Sequence, residues 1–339
     1  MSVLGAYWQD IQFQQGGGVG VYSVGAAYRS AYSQGAVQHA ASQGNPAKTN
    51  PFLAGAVTTA WITWQSAIQT TGTNQKALGG VGQSSSFKGL FVGTDPSNQY
   101  KLAIWKYDGT TFTQVGASEL GASIPTTGLT AFRLDLQIVN YGATANVNLY
   151  VGGVLVIALT SVDVTVTGMT NFDCFTWQSF TLAVMVSEVI VATDDSRSFV
   201  GLQTLALTGA GTTNAWTNNT YSNINAVPFT DATPASDNNN GDIQEYAITP
   251  PISPGSFSYV AIVQAARMAK SASPAVTHVE LGYNDVTGGG GVGFGAGATK
   301  ALTTSYDCYE QIDAVNPLTG VAFVQGSMTA MQLAAKAIT

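Results

Sequence analysis

Twice in this chain a β-rich run stops at two residues that tolerate positive φ and then resumes, and this arrangement constrains the fold more than any other feature. LAIWKY (102–107) runs into Asp108-Gly109 and then TTFTQV (110–115); NVNLYV (146–151) runs into Gly152-Gly153 and then VLVIAL (154–159). Turns of that composition join antiparallel neighbours, because their backbone twist matches that of the flanking strands. In the second hairpin the first arm alternates polar with apolar and reads as half exposed. The second arm is apolar throughout and reads as buried on both faces. FRLDLQI (132–138) alternates cleanly, which sends Phe132, Leu134, Leu136 and Ile138 inward and Arg133, Asp135 and Gln137 outward.

The other apolar runs are short, rich in Val, Ile, Thr and aromatic residues, and bounded by Gly, Asn, Asp and Pro, as in an all-β sandwich. The nearest approach to a helix is 24–41, where Ala, Tyr and Gln recur without an apolar stripe. The fold class expected is therefore all-β, with two jelly-roll-like β-sandwich domains in tandem, residues 1–195 and 196–339. The seam between them reads as a strand (188–192), the acidic turn Asp194-Asp195, and a strand at 199–207. A Gly-Ala-Gly turn, the isolated Trp216 and a long Asn/Asp/Thr-rich loop ending at Tyr246 follow. In the second domain 287–299 reads as a glycine-rich loop and 330–338 as a small amphipathic segment.

Composition narrows the function classes. Charged residues are 9% of the 339, against roughly 25% in ordinary soluble domains. With 14 Phe, 14 Tyr and 6 Trp the chain is nonetheless built to fold. A polar, uncharged surface is poorly defended against association, so an obligate oligomer is expected. The net charge is −7 and the 12 basic residues are scattered singly, so no phosphate-binding stripe exists and nucleic acid is not an expected partner. Cys174 and Cys308 fall one in each domain and read as two buried thiols. The opening MSVLGAYWQDIQF has no basic n-region or apolar core, and no apolar run is long enough to span a bilayer. Synthesis in a cytoplasm without membrane insertion is the expectation.

Two stretches carry a family resemblance. FRLDLQIVNYGATANVNLYVGGVLVIALT is similar to the sheet-building core of laminin-G or concanavalin-A-like jelly rolls. SEVIVATDDSR, the isolated Trp, the Asp/Asn loop, VAIVQAARMAK and the C-terminal NPLTGVAF, in that order over about residues 130–339, resemble the two-domain structural proteins of tailed-phage virions. The resemblance implies a virion component: first a tail-associated or fibre-like appendage contacting the host surface, or else a capsid decoration protein. A glycan-binding or glycan-cleaving module is the alternative from another class. It further implies a homo-oligomer, with a trimer favoured, contacts to other virion proteins, and a host surface glycan as a partner.

Sites for chemistry are few. His39 and His278 lie far apart, and neither a zinc-ligand cluster nor a Gly-x-Ser-x-Gly elbow is present. No catalytic residue is assigned and the chain is expected not to be an enzyme. Asp194-Asp195 is the only adjacent acidic pair. It reads as a solvent-facing turn or, alternatively, as a calcium site with Asp231 or Asp242, calcium being the only cofactor considered. The glycine run has no following Lys-Ser/Thr, since Lys300 precedes Ala301, so it is not a phosphate loop. It reads as mobile or packed against a neighbouring chain. Trp61, Trp64, Trp105 and Trp177 read mostly as core. Trp216, taken as the exposed tryptophan, joins Tyr221, Asn239 and Tyr246 as candidates for an interface or glycan contact.

Overall fold

The computed structural model describes residues 3–7, 13–14, 20–23, 36–39, 46–68, 77–95, 98, 101–117, 131–178, 184–197, 203, 205–224, 231–232, 234–250, 258–286 and 291–339. The protein is all-β: antiparallel strands dominate, and the helices among the described residues are four residues long. The chain divides into two compact units, Met1–Leu202 and Gln203–Thr339.

In the first unit the early strands are β1 (Val3–Tyr7), β2 (Phe13–Gln14), β3 (Gly20–Ser23), β4 (Ala36–His39) and β5 (Ala47–Thr49). Then come β6 (Ala60–Ile68), β7 (Ala77–Gly82), β8 (Gly89–Thr94), β9 (Leu102–Tyr107) and β10 (Phe112–Val115). The last are β11 (Phe132–Val139), β12 (Ala145–Val151), β13 (Val154–Val162), β14 (Cys174–Gln178) and β15 (Val184–Ala192). One sheet has eight strands in the order β13-β12-β11-β6-β15-β4-β3, with β1 also paired to β15; the other has seven, β10-β9-β8-β7-β14-β5-β2. Alternation along the strands fills the space between them. Ile62 and Trp64 of β6 and Leu134, Leu136 and Ile138 of β11 share one core with Leu90, Val92, Leu102, Ile104, Phe175 and Trp177 of the opposite sheet. Each such side chain contributes roughly 1.5–3 kcal/mol by leaving water. The inward set expected from 132–138 is the set observed.

Several local expectations need correction. β13 is an edge strand, not one buried on both faces, and Val154 and Leu155 are 67% and 48% exposed. The 102–115 hairpin closes through four residues instead of two. The Asp108 carboxylate accepts from the backbone N–H of Thr110 and of Thr111, which draws both threonines out of the strand. Gly152 and Gly153 do form a two-residue turn, both at positive φ (56° and 86°). Within 24–41, residues 24–35 and 40–41 lie outside the described residues, and 36–39 is strand β4, not helix.

The second unit contains β16 (Leu207–Asn214), α1 (Tyr221–Ile224), β17 (Ile243–Ile248), β18 (Ile262–Met268), β19 (His278–Asp285), β20 (Val292–Ala301), β21 (Asp307–Asp313), α2 (Gln325–Met328) and β22 (Met331–Ile338). A five-stranded sheet, β16-β17-β22-β19-β20, packs against the two-stranded ribbon β18-β21. Most of 199–207 is outside the described residues. Gly209 to Gly211, read as a turn, lies inside β16. The small amphipathic segment expected at 330–338 is strand β22, which runs through the middle of the sheet. The glycine run is likewise not a loop beyond residue 291, because β20 begins at Val292. Its glycines make room for their own chain. A Cβ on Gly293 would lie 2.7 Å from Leu318 Cγ, and one on Gly295 would collide with the Asp313 carboxylate.

Candidate functional site

The face of the eight-stranded sheet turned away from the core carries a connected polar network. Register places Leu155, Tyr150, Asp135, Thr63 and Ile190 in one cross-strand row over β13, β12, β11, β6 and β15. The adjacent row holds Asn148, Gln137, Trp61 and Ala192. A β-bulge in β15 between Ser187 and Ile190 places Glu188 at φ 52°, a left-handed conformation that costs a non-glycine residue about 1–2 kcal/mol.

The turn after β15 folds back over this face. Ser196 is fully buried, and its Oγ lies 2.8 Å from Thr63 Oγ1. Thr63 Oγ1 donates to Asp135 Oδ1 at 2.6 Å, so its single proton is committed and Ser196 must be the donor to it. Arg133 completes the anchor: Nε donates to Asp135 Oδ1 at 3.0 Å and Nη2 to the Ser196 carbonyl at 2.7 Å. Asp135 is wholly buried, and its Oδ2 has no hydrogen-bond partner among the described residues; the same holds for Ser187 Oγ on this face. Orphaned buried oxygens of this kind mark places where ordered water or a ligand atom completes the network.

Above the anchor lies a stack. The Arg197 guanidinium sits 4.1 Å from the centre of the Tyr150 ring and 5.0 Å from that of Trp61. The two rings are 5.6 Å apart at 31°. Asp195 holds the guanidinium in place, accepting from Nε at 2.9 Å and from Nη2 at 2.5 Å. The Arg197 hydrogen bonds keep the Asp195 carboxyl below the usual carboxylate range, and Asp195 in turn raises the arginine. Arg197 Nη1 takes part in none of these bonds. Beside the stack, Asn148 Nδ2 donates to Gln137 Oε1 at 2.8 Å. Among the described residues this leaves the amide N–H pair of Gln137 and the amide oxygen of Asn148 without partners, on adjacent half-exposed residues.

The other sequence candidates are distributed as follows. Asp194 accepts from the Thr193 hydroxyl at 2.8 Å in the same turn as Asp195. Asp231 and Asp242 belong to the second unit, where Asp231 is bound by Arg267 through two bonds of 2.9 Å. Among the described residues no three His, Cys, Asp or Glu side chains converge as a metal site. Trp216, of the tryptophans the one expected to be exposed, is half buried, while the other described tryptophans are buried. It packs against the Val276, Val279 and Leu281 cluster and donates from Nε1 to the Asp242 carbonyl at 3.3 Å. Gln244, fully buried beneath it, accepts from Asn219 and donates to Asn214. Asn239 is exposed and donates to the Asp242 carboxylate at 3.0 Å, and Tyr221 is exposed at the start of α1. Tyr246 is no surface contact: it is buried in β17, and burial pushes its phenol up. Cys174 is buried and Cys308 half buried, and neither forms a disulfide.

Sequence reasoning therefore missed the site's central members, Thr63, Tyr150, Ser196 and Arg197, and treated Trp61 as core. A signal was present in the acid and base two apart at Asp195 and Arg197, in a chain with only 12 basic residues.

No family model matches the chain, and no curated protein matches it in sequence. Solved structures are similar to it at low levels. The alginate lyase Aly36B is 10% identical, covering 54% of this chain and 88% of that one, with a TM-score of 0.34. The cellulose induced protein Cip1 is 10% identical over 57% of this chain and 92% of that one, also at 0.34. The endo-β-1,4-glucuronan lyase from the fungus Trichoderma reesei is 11% identical over 55% and 89%, again at 0.34. Likeness at this level defines no shared site. One expectation is corrected by it: the chain was taken not to be an enzyme, yet two of these three structures are lyases.

Proposed function

We propose that the chain is a glycan-recognising β-sandwich protein and that the outer face of the eight-stranded sheet is its binding surface. The observation that carries this reading is the Arg197 stack on Trp61 and Tyr150, flanked by the free amide groups of Gln137 and Asn148. A sugar offers vicinal hydroxyls, each donor and acceptor, and a weakly polar C–H face. The amide pair meets the first and exposed Leu155, next to Tyr150 in its row, meets the second. Stacking and the paired Asp195 freeze Arg197 on folding, so binding costs little further side-chain entropy.

The test is isothermal calorimetry of the purified protein against a panel of oligosaccharides, with release of new reducing ends measured on the same panel. Arg197→Ala and Gln137→Ala are expected to weaken binding at least tenfold while the circular dichroism spectrum is retained. Unchanged affinity in both variants would place the site elsewhere.

A second reading is favoured by a different observation. A chain with 9% charged residues exposes Val154 and Leu155 on an edge strand, and Val315, Leu318, Val321 and Val324 in the second unit. Such surfaces support a subunit of a permanent assembly. The resemblance over about residues 130–339 to two-domain structural proteins of tailed-phage virions would place that assembly on such a particle, where a glycan site would serve host contact. Sedimentation as a 35.1 kDa monomer at working concentration would remove this reading.

A further inference from the structure

We infer that the ligand of this face is a neutral glycan and that chains bearing carboxylates are rejected; this rests on the glycan-binding reading above. The charged side chains of β6, β11, β12, β13, β15 and the turn 193–197 are two cations, Arg133 and Arg197, and four carboxylates, Asp135, Glu188, Asp194 and Asp195. Both cations are already engaged. Arg133 is held 3.0 Å from a fully buried carboxylate, and Arg197 is held by both oxygens of Asp195.

A uronate or sialate could take the Nε/Nη2 edge of Arg197 only by displacing Asp195 from a charge-assisted, two-point contact of the strongest type that protein carboxylates make, and at the remaining Nη1 edge it would meet a guanidinium whose charge Asp195 already cancels. The displaced carboxylate would then lie beside Asp194 without a partner. The approach of such a ligand is also opposed by the net charge of −7. Among the described residues, the half-exposed groups left unpaired at the stack and its flank are neutral or nearly so: the Gln137 amide N–H pair, the Asn148 amide oxygen and the outer edge of a compensated guanidinium. These recognise hydroxyls and gain nothing from a carboxylate. The arrangement is a filter as well as a site, because Asp195 both orients Arg197 and cancels its charge.

The experiment compares neutral oligosaccharides (cello-, xylo-, arabino- and galacto-series) with oligoalginate, oligoglucuronate and sialyllactose on the full chain, at about 20 and 300 mM salt. Neutral ligands are expected to bind with affinities that differ less than twofold between the two salts, and acidic ligands to show no binding. Asp195→Asn, which uncovers the Arg197 charge, is expected to create acidic-glycan binding that weakens at the higher salt. Preferred binding of an acidic glycan by the unaltered protein overturns this inference and leaves the glycan reading intact. No binding of any sugar by the folded protein overturns both. Failure of Asp195→Asn to admit acidic ligands, with its neutral binding retained, overturns the assignment of the filter to Asp195.

Discussion

Replacing Asp135 by alanine should be among the most damaging single substitutions in the first unit. The carboxylate is completely buried and accepts from Thr63 and Arg133, and Arg133 in turn holds the Ser196 carbonyl. Its removal takes away the buried carboxylate to which a guanidinium only 14% exposed is bound. Breaking one side of a buried pair costs about 3–5 kcal/mol, since the remaining charge stays desolvated. In a unit of about 200 residues, 1 kcal/mol moves the midpoint by about 2–4 °C, so a fall of about 6–20 °C is expected. Thermal unfolding followed by tryptophan fluorescence reads this unit, because Trp8, Trp61, Trp64, Trp105 and Trp177 lie in it and Trp216 does not. The double variant Arg133→Met/Asp135→Leu should be less destabilised than Asp135→Ala, because no unpaired charge remains. A shift under about 2 °C for Asp135→Ala, or strict additivity in the double variant, would refute the buried-pair account.

Three further outcomes are expected. Gly295→Ala should cost about 1–3 kcal/mol, because the new methyl meets the Asp313 carboxylate; Gly295→Ala/Asp313→Ala should recover part of the loss in chemical denaturation. Burial pushes the Asp313 carboxyl above its ordinary value, so the folded chain binds that proton more tightly than the unfolded chain does. Its contribution to the second unit therefore favours folding in acid and is lost as pH rises from about 3.9 through the raised value, and Asp313→Asn should flatten the calorimetric pH profile there. Asp195 has the opposite sign: its pKa is lowered, its contribution is present above about 3.9, and it is lost as pH falls through the lowered value. Asp195→Asn should remove the acid-side change in tryptophan fluorescence that reports release of Arg197 from the Trp61 ring; an unchanged acid titration would count against the stack.

The strands and hairpins were legible wherever local chemistry decides them. Alternation in 132–138 assigned each side chain to a face, and Gly152-Gly153 specified the turn, since both effects act over a few residues. The errors occur where a distant partner decides. β13 looks doubly buried because it is apolar, but among the described residues no strand of the sheet lies beyond it. The glycines at 293 and 295 looked like loop residues because the local pattern carries no trace of Leu318 and Asp313, which need the space. Trp61 looked like core because a buried tryptophan reads the same whether a sheet or an arginine covers it.

Period-two alternation, short Gly and Asp turns and the scarcity of charge by themselves determined that the chain is all-β, because these are properties of neighbouring residues. Only the tertiary structure decided which polar residues form a site. Thr63, Asp135, Tyr150 and Arg197 come from four separate segments: strand register sets the first three in one row, and the turn after β15 lays Arg197 over them.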